Sequence, residues 1–493
     1  MSSPLASVQR RKAGSALRRW LLLPAARTGR AGHPTGAPPS PRREIARIAV
    51  PVSLEFVLML VLNFVNQVVV GALGATAIAA VGFANSLVFI LVLTLGALGA
   101  SVSILVARAH GSGRRHEMNT TVTAAVLVAA LLAAVTSAPA FLGSTALLRL
   151  TGASPTVAAA GSGYLHLMTL SLVPTVVASV LSGVMRSTGH ARSPMVATLV
   201  TVLLNTSLGY CLVFGVGPFP QLGVAGAGCS TLGTAVLKAA ILLAQVLLQH
   251  RLVSWELPRT VADWRAVLVP LFVLAVPLGI TELFWTTGTF LYNVVFQRLG
   301  DDALAAAQIA ATLEGVFIVG SIGLMSATTA LVGRSVGRGD AREAMAWVRR
   351  VKRVGLHTGV GFGVLFALSA LVLGQLYGNA GADVQRNAAL GILINAAFQV
   401  VKVRNMVLGA GVLPSGNDVR GVILGDVAGA FLVGLPLAVL LGLHTPLGVA
   451  GVFLARVVEE CAKVAIFTWR TRRLDWHRLA TASPASALPA PAL

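Results

Sequence analysis

The 493-residue chain is 56% hydrophobic and only 11% charged, whereas soluble proteins carry about a quarter charged residues, so a soluble multidomain protein is excluded. Its formal charge of +21, from 38 Lys and Arg against 17 Asp and Glu, does not mark a nucleic-acid binder. The basic residues gather at the ends of apolar runs, which is the pattern of membrane topology.

Residues 1–43 are rich in Arg, Pro, Ser and Gly. The apolar patch from Trp20 to Ala26 is too short to span a bilayer and is interrupted by Pro24. This arm is expected to be a disordered basic cytoplasmic tail that touches anionic lipid. Twelve apolar runs follow, at roughly 46–71, 76–107, 118–142, 157–185, 194–216, 223–249, 266–297, 303–333, 354–376, 386–413, 421–443 and 448–470. Each is long enough, with its small neighbours, to approach the ~20 residues that cross a ~30 Å hydrocarbon core. Backbone groups in lipid must be satisfied within their own segment, so the runs are predicted helices. The 51 glycines suit close packing of such helices. A Pro- and Ala-rich tail closes the chain.

Alternate connections carry the basic residues. One side has Arg108, Arg114 and Arg115, then Arg186 and Arg192, then Arg251, Arg259 and Arg265. It continues with the dense stretch from Arg334 to Arg353, then Arg420, then Arg470 to Arg478. The other side has Arg149, Arg298 and Arg386 beside Asp301, Asp302 and Asp383. The positive-inside rule places the basic side and both termini in the cytoplasm of a multi-pass inner-membrane protein.

The chain also repeats itself. Pro51 to Glu117 lies over Pro277 to Glu343 without a gap, so that Val106-x-Arg108-x-x-Gly111 meets Val332-x-Arg334-x-x-Gly337. Gly183 to Arg192 lies over Gly411 to Arg420, Leu222-Gly-Val-Ala-Gly226 recurs as Leu447-Gly-Val-Ala-Gly451, and Lys238 meets Lys463. A repeat of six helices leaves both halves pointing the same way. The expectation is an all-α integral membrane protein of twelve helices in two six-helix lobes, related by a pseudo-two-fold axis along the membrane normal, with a site between them. The lobes are expected over 44–250 and 266–478, with a cytoplasmic linker over 251–265 and a disordered tail over 479–493.

Several stretches are familiar as well as repeated. Ala49-Val-Pro51, Leu62-Asn63-Phe-Val-Asn66, Gly71-Ala-Leu-Gly74 and Ala79-Ala-Val-Gly-Phe-Ala-Asn85 open the first half. Glu282-Leu-Phe-Trp285, Tyr292-Asn293, Lys402-Val-Arg-Asn405, Gly416-Asn-Asp418, Pro436 and Glu459-Glu460-x-x-Lys463 follow in the second. In order and spacing the chain resembles the MATE (multidrug and toxic compound extrusion) family over about residues 44–480. That resemblance implies export of small cationic or amphiphilic compounds driven by inward protons or sodium, with no other cofactor, no nucleic-acid partner, and a monomeric transporter in lipid. A lipid-linked-precursor flippase of the same broader fold is the alternative. A membrane-embedded enzyme would need converging nucleophile, base or metal residues, and the sequence shows no such cluster and no P-loop. Asn66 stands where the family commonly has an aspartate, and an amide cannot exchange a proton at working pH. Pro414 and Asn417 stand where close relatives tend to have Arg and Gly.

Charges inside a bilayer usually face a cavity or a partner. Glu282, mid-span in the seventh helix, is the first candidate for ion coupling. Glu314 in the eighth helix and Lys402 in the tenth join it, with Lys402 expected as an ion-pair partner of Glu282. Lys402 and Arg404 lie about 200° apart around a helix and cannot face one pocket. Asn63, Asn66, Asn85, Trp285, Tyr292 and Asn405 are candidates for the substrate cavity, the aromatics through stacking on a planar cation. Glu55 reads as a helix-start acid near the surface, and Asp426, Glu459 and Glu460 as structural acids near helix ends.

Overall fold

The computed structural model describes residues 40–150, 154–378 and 380–481, which are overwhelmingly helical and contain no strand. The first half comprises α1 (Pro41–Gly71), α2 (Ala75–Ser112), α3 (Arg115–Leu142), α4 (Pro155–Ser187), α5 (Arg192–Phe214) and α6 (Val224–Ala244). The second comprises α7 (Val261–Leu299), α8 (Asp301–Gly337), α9 (Ala341–Ser369), α10 (Ala382–Ala397 and Gln399–Ser415, bent by 57°), α11 (Val419–Leu443) and α12 (Gly448–Arg473). The twelve helices form two lobes of six. Eleven are apolar enough to span a membrane if bent α10 counts once. The centre of α12 holds Arg456, Glu459, Glu460 and Lys463, so its membrane role is hidden from a purely apolar reading.

Local chemistry sets the helix starts. Ser154 caps α4 ahead of Pro155, whose missing N–H costs nothing in a first turn. Thr260 and Asp263 form a reciprocal capping box that opens α7 at Val261, inside the segment expected as linker. Asp340 accepts from the Glu343 amide at 2.8 Å and opens α9 at Ala341. The dense basic stretch is therefore mostly helix. Ala341, Ala344, Trp347, Val348 and Val351 are buried along one face of it, at helical spacing. Pro41 to Arg43 already form the first turn of α1, and Leu479 to Thr481 lie in a short helix from Trp476. The remainder of the two expected tails, 1–39 and 482–493, lies outside the described residues.

Apolar packing shows where the lobes meet. Two buried clusters are each confined to one lobe at the end away from the basic connections: Val70, Ala77, Val81 and Tyr164 in the first, Tyr292, Phe296, Ile392 and Phe453 in the second. The clusters that join the lobes lie toward the basic end. Ile45, Ile48, Ala49 and Val52 of α1 pack with Leu324, Ala327 and Leu331 of α8. Leu271 and Ala275 of α7 pack with the α2 cluster around Leu98 and Val102. At the crossing of α2 and α8, a Cβ on Gly111 would lie 2.2 Å from the Arg334 carbonyl, and one on Gly337 would lie 2.1 Å from the Arg108 carbonyl. The repeat-equivalent glycines thus make the same close approach from both sides of the axis. The lobes therefore join at the basic end while at the other end each packs within itself, the arrangement of a V.

Candidate ion-coupling site

The second lobe encloses a connected set of charges. Every four residues along α11 a glycine removes the side chain that would block α12. A Cβ at Gly425 would strike Phe467, and one at Gly429 would lie 2.6 Å from Lys463 Cγ. A wide π turn over Ala428–Gly434 shifts the next gap to Gly434, where a Cβ would meet Tyr292 and Glu459 at 2.2 and 2.7 Å. Such turns allow an extra residue per turn and recur at functional sites. Into this groove α12 places Lys463, whose Nζ lies 2.5 Å from Glu459 and 3.7 Å from Asp426. The Tyr292 hydroxyl donates to Glu459 at 2.5 Å, and the Arg456 guanidinium sits 5.3 Å over the Tyr292 ring. Glu460 accepts from Asn405 Nδ2 at 2.7 Å.

Glu282 faces this set from α7. It lies within electrostatic range of Asp426, at the level where Phe284 packs edge-on against Phe431 of α11. No ion pair involves Glu282 among the described residues. Lys402 is buried and pairs with Glu314, not with Glu282, and also donates to Asn395 Oδ1 at 2.8 Å. Just before Lys402 lies the bend in α10, and Gln399 beside it is buried with neither amide atom hydrogen-bonded among the described residues. Five carboxylates (Glu282, Glu314, Asp426, Glu459, Glu460) thus stand against three cations (Lys402, Arg456, Lys463).

The first lobe has the opposite balance. Glu55 is 3% exposed, far from the surface position expected of it. It takes Arg186 at 3.3 Å, Lys238 at 3.4 Å and the Thr198 hydroxyl at 3.3 Å. One carboxylate here answers two cations.

A family model, MatE, matches the chain twice, over residues 51–211 and again over residues 277–440. The chain belongs to the MATE family. Both matches begin at the prolines that open the repeat, so MATE architecture and internal duplication coincide. A probable multidrug resistance protein NorM of Pseudomonas aeruginosa is 30% identical, with 90% of this chain and 92% of that protein covered. The NorM of Rhizobium meliloti is 28% identical over 87% of this chain and 92% of its own length. The multidrug resistance protein MdtK of Pectobacterium atrosepticum is 26% identical over 88% and 95%. Among solved structures, a MATE protein in a bent conformation superposes with a TM-score of 0.81 at 18% identity, covering 90% of this chain and 97% of that one. A multidrug resistance MATE transporter in an outward-facing conformation gives 0.78 at 20% identity, covering 88% and 96%.

The MATE fold brings together only part of the set singled out from sequence. Glu282, Tyr292 and Asn405 join the second-lobe charges, and Glu314 and Lys402 form their own pair. Trp285 is 52% exposed on α7. Asn85 on α2 accepts from the Tyr164 hydroxyl at 2.9 Å, a contact within the first lobe. Asn63 and Asn66 make no side-chain hydrogen bond among the described residues. Arg404 points away from Lys402 to Thr468, at 3.4 Å, as the helical offset requires. Asp426, Glu459 and Glu460, which read from sequence as structural acids near helix ends, join the buried set together with Lys463. The signal that finds them is the glycine ladder of α11 opposite Glu459 and Lys463, one turn apart on α12. Asn417 adopts φ 62°, the left-handed region that Asn tolerates better than other side chains, which explains an Asn where the first half of the repeat has Gly189 at φ 93°.

Proposed function

We propose that this protein is a secondary efflux antiporter. It exports organic cations or amphiphilic drugs in exchange for inward protons or sodium, by alternating access of its two lobes. The observation that carries the proposal is the acid excess inside the second lobe, centred on Glu282 and Asp426. A carboxylate held among membrane helices without a fixed cation invites a mobile one, and either a proton or a sodium ion would complete the pair. Lys463 already neutralises Glu459 closely and Asp426 at longer range, so the open half of the site is the Glu282 side. The names of the multidrug resistance relatives support a drug-like cargo.

In this reading the parted end of the V faces outside, and the basic end and both termini lie in the cytoplasm of the inner membrane. The ion enters the cleft and reaches Glu282, and the lobes then rock to release it inward. Cargo uses the return. A cationic cargo and the ion compete for the same negative field, which is the coupling exchange requires. A single chain supplies both lobes, so a monomer suffices.

Proteoliposomes loaded with tetraphenylphosphonium and given an inward proton or sodium gradient test this reading. Wild type should release the cation only with one of the gradients, and Glu282→Gln should bind it while losing the drive. Release indifferent to both gradients sinks the antiporter reading. Gradient-independent scrambling of a fluorescent polyprenyl-phosphate lipid would favour the flippase instead.

A further inference from the structure

At the closed end of the V, each lobe reaches into the other with an arginine that forms no ion pair among the described residues. Arg108, near the end of α2, donates from Nη2 to the backbone carbonyl of Ser415 at 2.7 Å. Arg334, near the end of α8, donates from Nε to the carbonyl of Ser187, also at 2.7 Å. Arg108 and Arg334 are repeat equivalents, and so are Ser187 and Ser415. The pseudo-two-fold axis therefore turns one contact into the other.

The acceptors are built for this. Ser187 ends α4 and Ser415 ends α10, and the last carbonyls of a helix lack an intrahelical donor and carry the negative end of its dipole. Two residues further on, Gly189 at φ 93° and Asn417 at φ 62° turn the chain back. That turn sends the His190 amide to the Met185 carbonyl at 2.8 Å and the Asp418 amide to the Leu413 carbonyl at 2.9 Å. It bypasses the carbonyls of Ser187 and Ser415, which are left for the opposite lobe. The serine hydroxyls do not compete, since each bonds back into its own helix, to Val184 and Gly411. Arg108 is buried, and its Nε and the Nη2 of Arg334 have no hydrogen-bond partner among the described residues. Glu44 and Arg47 of α1 and the neighbouring Arg338 lie within electrostatic range of Arg334.

We infer that Arg108 and Arg334 form a two-fold latch that holds the basic end of the transporter shut, and that both carbonyl contacts break when the lobes rock to open that end. The inference rests on the alternating-access reading above. Both are positioning residues, remote from the Glu282 site. A guanidinium on a carbonyl suits a reversible closure. Parting it exposes one cation to incoming water, whereas parting a buried ion pair would expose two charges at once. The crossing of Gly111 and Gly337 brings the backbones close enough for both arginines to reach.

The test measures opening directly. In a chain with Cys211, Cys229 and Cys461 replaced by Ser, spin labels on Arg115→Cys and Arg342→Cys sit at the exposed starts of α3 and α9. Pulsed electron resonance then reads the distance across the basic end, with and without tetraphenylphosphonium. Arg108→Gln or Arg334→Gln should each raise the long-distance population about threefold, and the double variant about tenfold. Arg108→Lys with Arg334→Lys, which restores a donor on each side, should return most of the population to the wild-type distribution. A distribution unmoved by the double variant, while wild type opens with tetraphenylphosphonium, overturns the latch and leaves the transport reading standing. No opening in wild type or variants under any condition overturns both. A shift with one arginine alone contradicts the reciprocity and overturns the latch. If the double variant does not fold, the two single variants carry the same test.

Discussion

The two lobes arose from one sequence, and they differ most where they are most alike. Lys238 in α6 and Lys463 in α12 occupy equivalent places in the repeat, and each is drawn to buried carboxylate. In the first lobe Lys238 shares a single acid, Glu55, with Arg186. In the second, Lys463 is the cation closest to both Glu459 and Asp426, and Glu282 stands beyond them with no ion pair among the described residues. A duplicated scaffold can keep its helices, crossings and latch in register while its charges drift apart. The first lobe is electrostatically closed by its own residues. The second is left short of a positive charge.

This contrast can be broken at several points. The largest effect is expected at Lys463. Lys463→Met strands Glu459 and Asp426 inside the lobe and should cost about 3–5 kcal/mol, read as thermal unfolding in detergent. Lys238→Met leaves Glu55 with Arg186 and Thr198 and should cost less, about 1–3 kcal/mol. Equal losses would show that the first lobe is no better compensated than the second. Next come the crossing glycines. Gly111→Ala and Gly337→Ala each push a methyl group onto a backbone carbonyl, and each should destabilise by about 1–3 kcal/mol. Unequal penalties would mean that the axis is not respected where the lobes touch.

A pH dependence belongs to the first lobe. Burial, then the neighbouring His250, Arg47, His110 and Arg334, hold the His190 pKa at about 4, below the ordinary 6.5. The unfolded chain therefore takes up this proton first as pH falls. The stability contribution is complete above pH 6.5 and is lost progressively as pH drops toward 4. His190→Gln should flatten the melting temperature over that window. An unchanged slope would remove His190 from the account.

Much of the architecture was legible because membrane helices announce themselves by length. The duplication was legible through the paired Val-x-Arg-x-x-Gly stretches. What escaped was packing across large separations. Glu314 and Lys402 meet from helices far apart in the chain, so nothing local favours that pair over Glu282 and Lys402. Glu55 looked peripheral because Arg186 and Lys238 arrive from α4 and α6. Arg108 and Arg334 read as topology signals because an arginine near a helix end usually is one, and only the folded interface shows them buried against the other lobe. The α12 acids were hidden by their own polarity, since the room that buries them comes from glycines on α11.

The central claim is that the second lobe carries the ion. Gradient-driven and exchange-driven efflux of tetraphenylphosphonium, normalised to folded protein in proteoliposomes, tests it most directly when Glu282→Gln is compared with Glu55→Gln. The account predicts that Glu282→Gln keeps exchange and loses the drive from the gradient, while Glu55→Gln keeps both. A Glu55→Gln variant that folds but loses the drive, beside a Glu282→Gln variant that retains it, would move the ion to the first lobe and contradict the account.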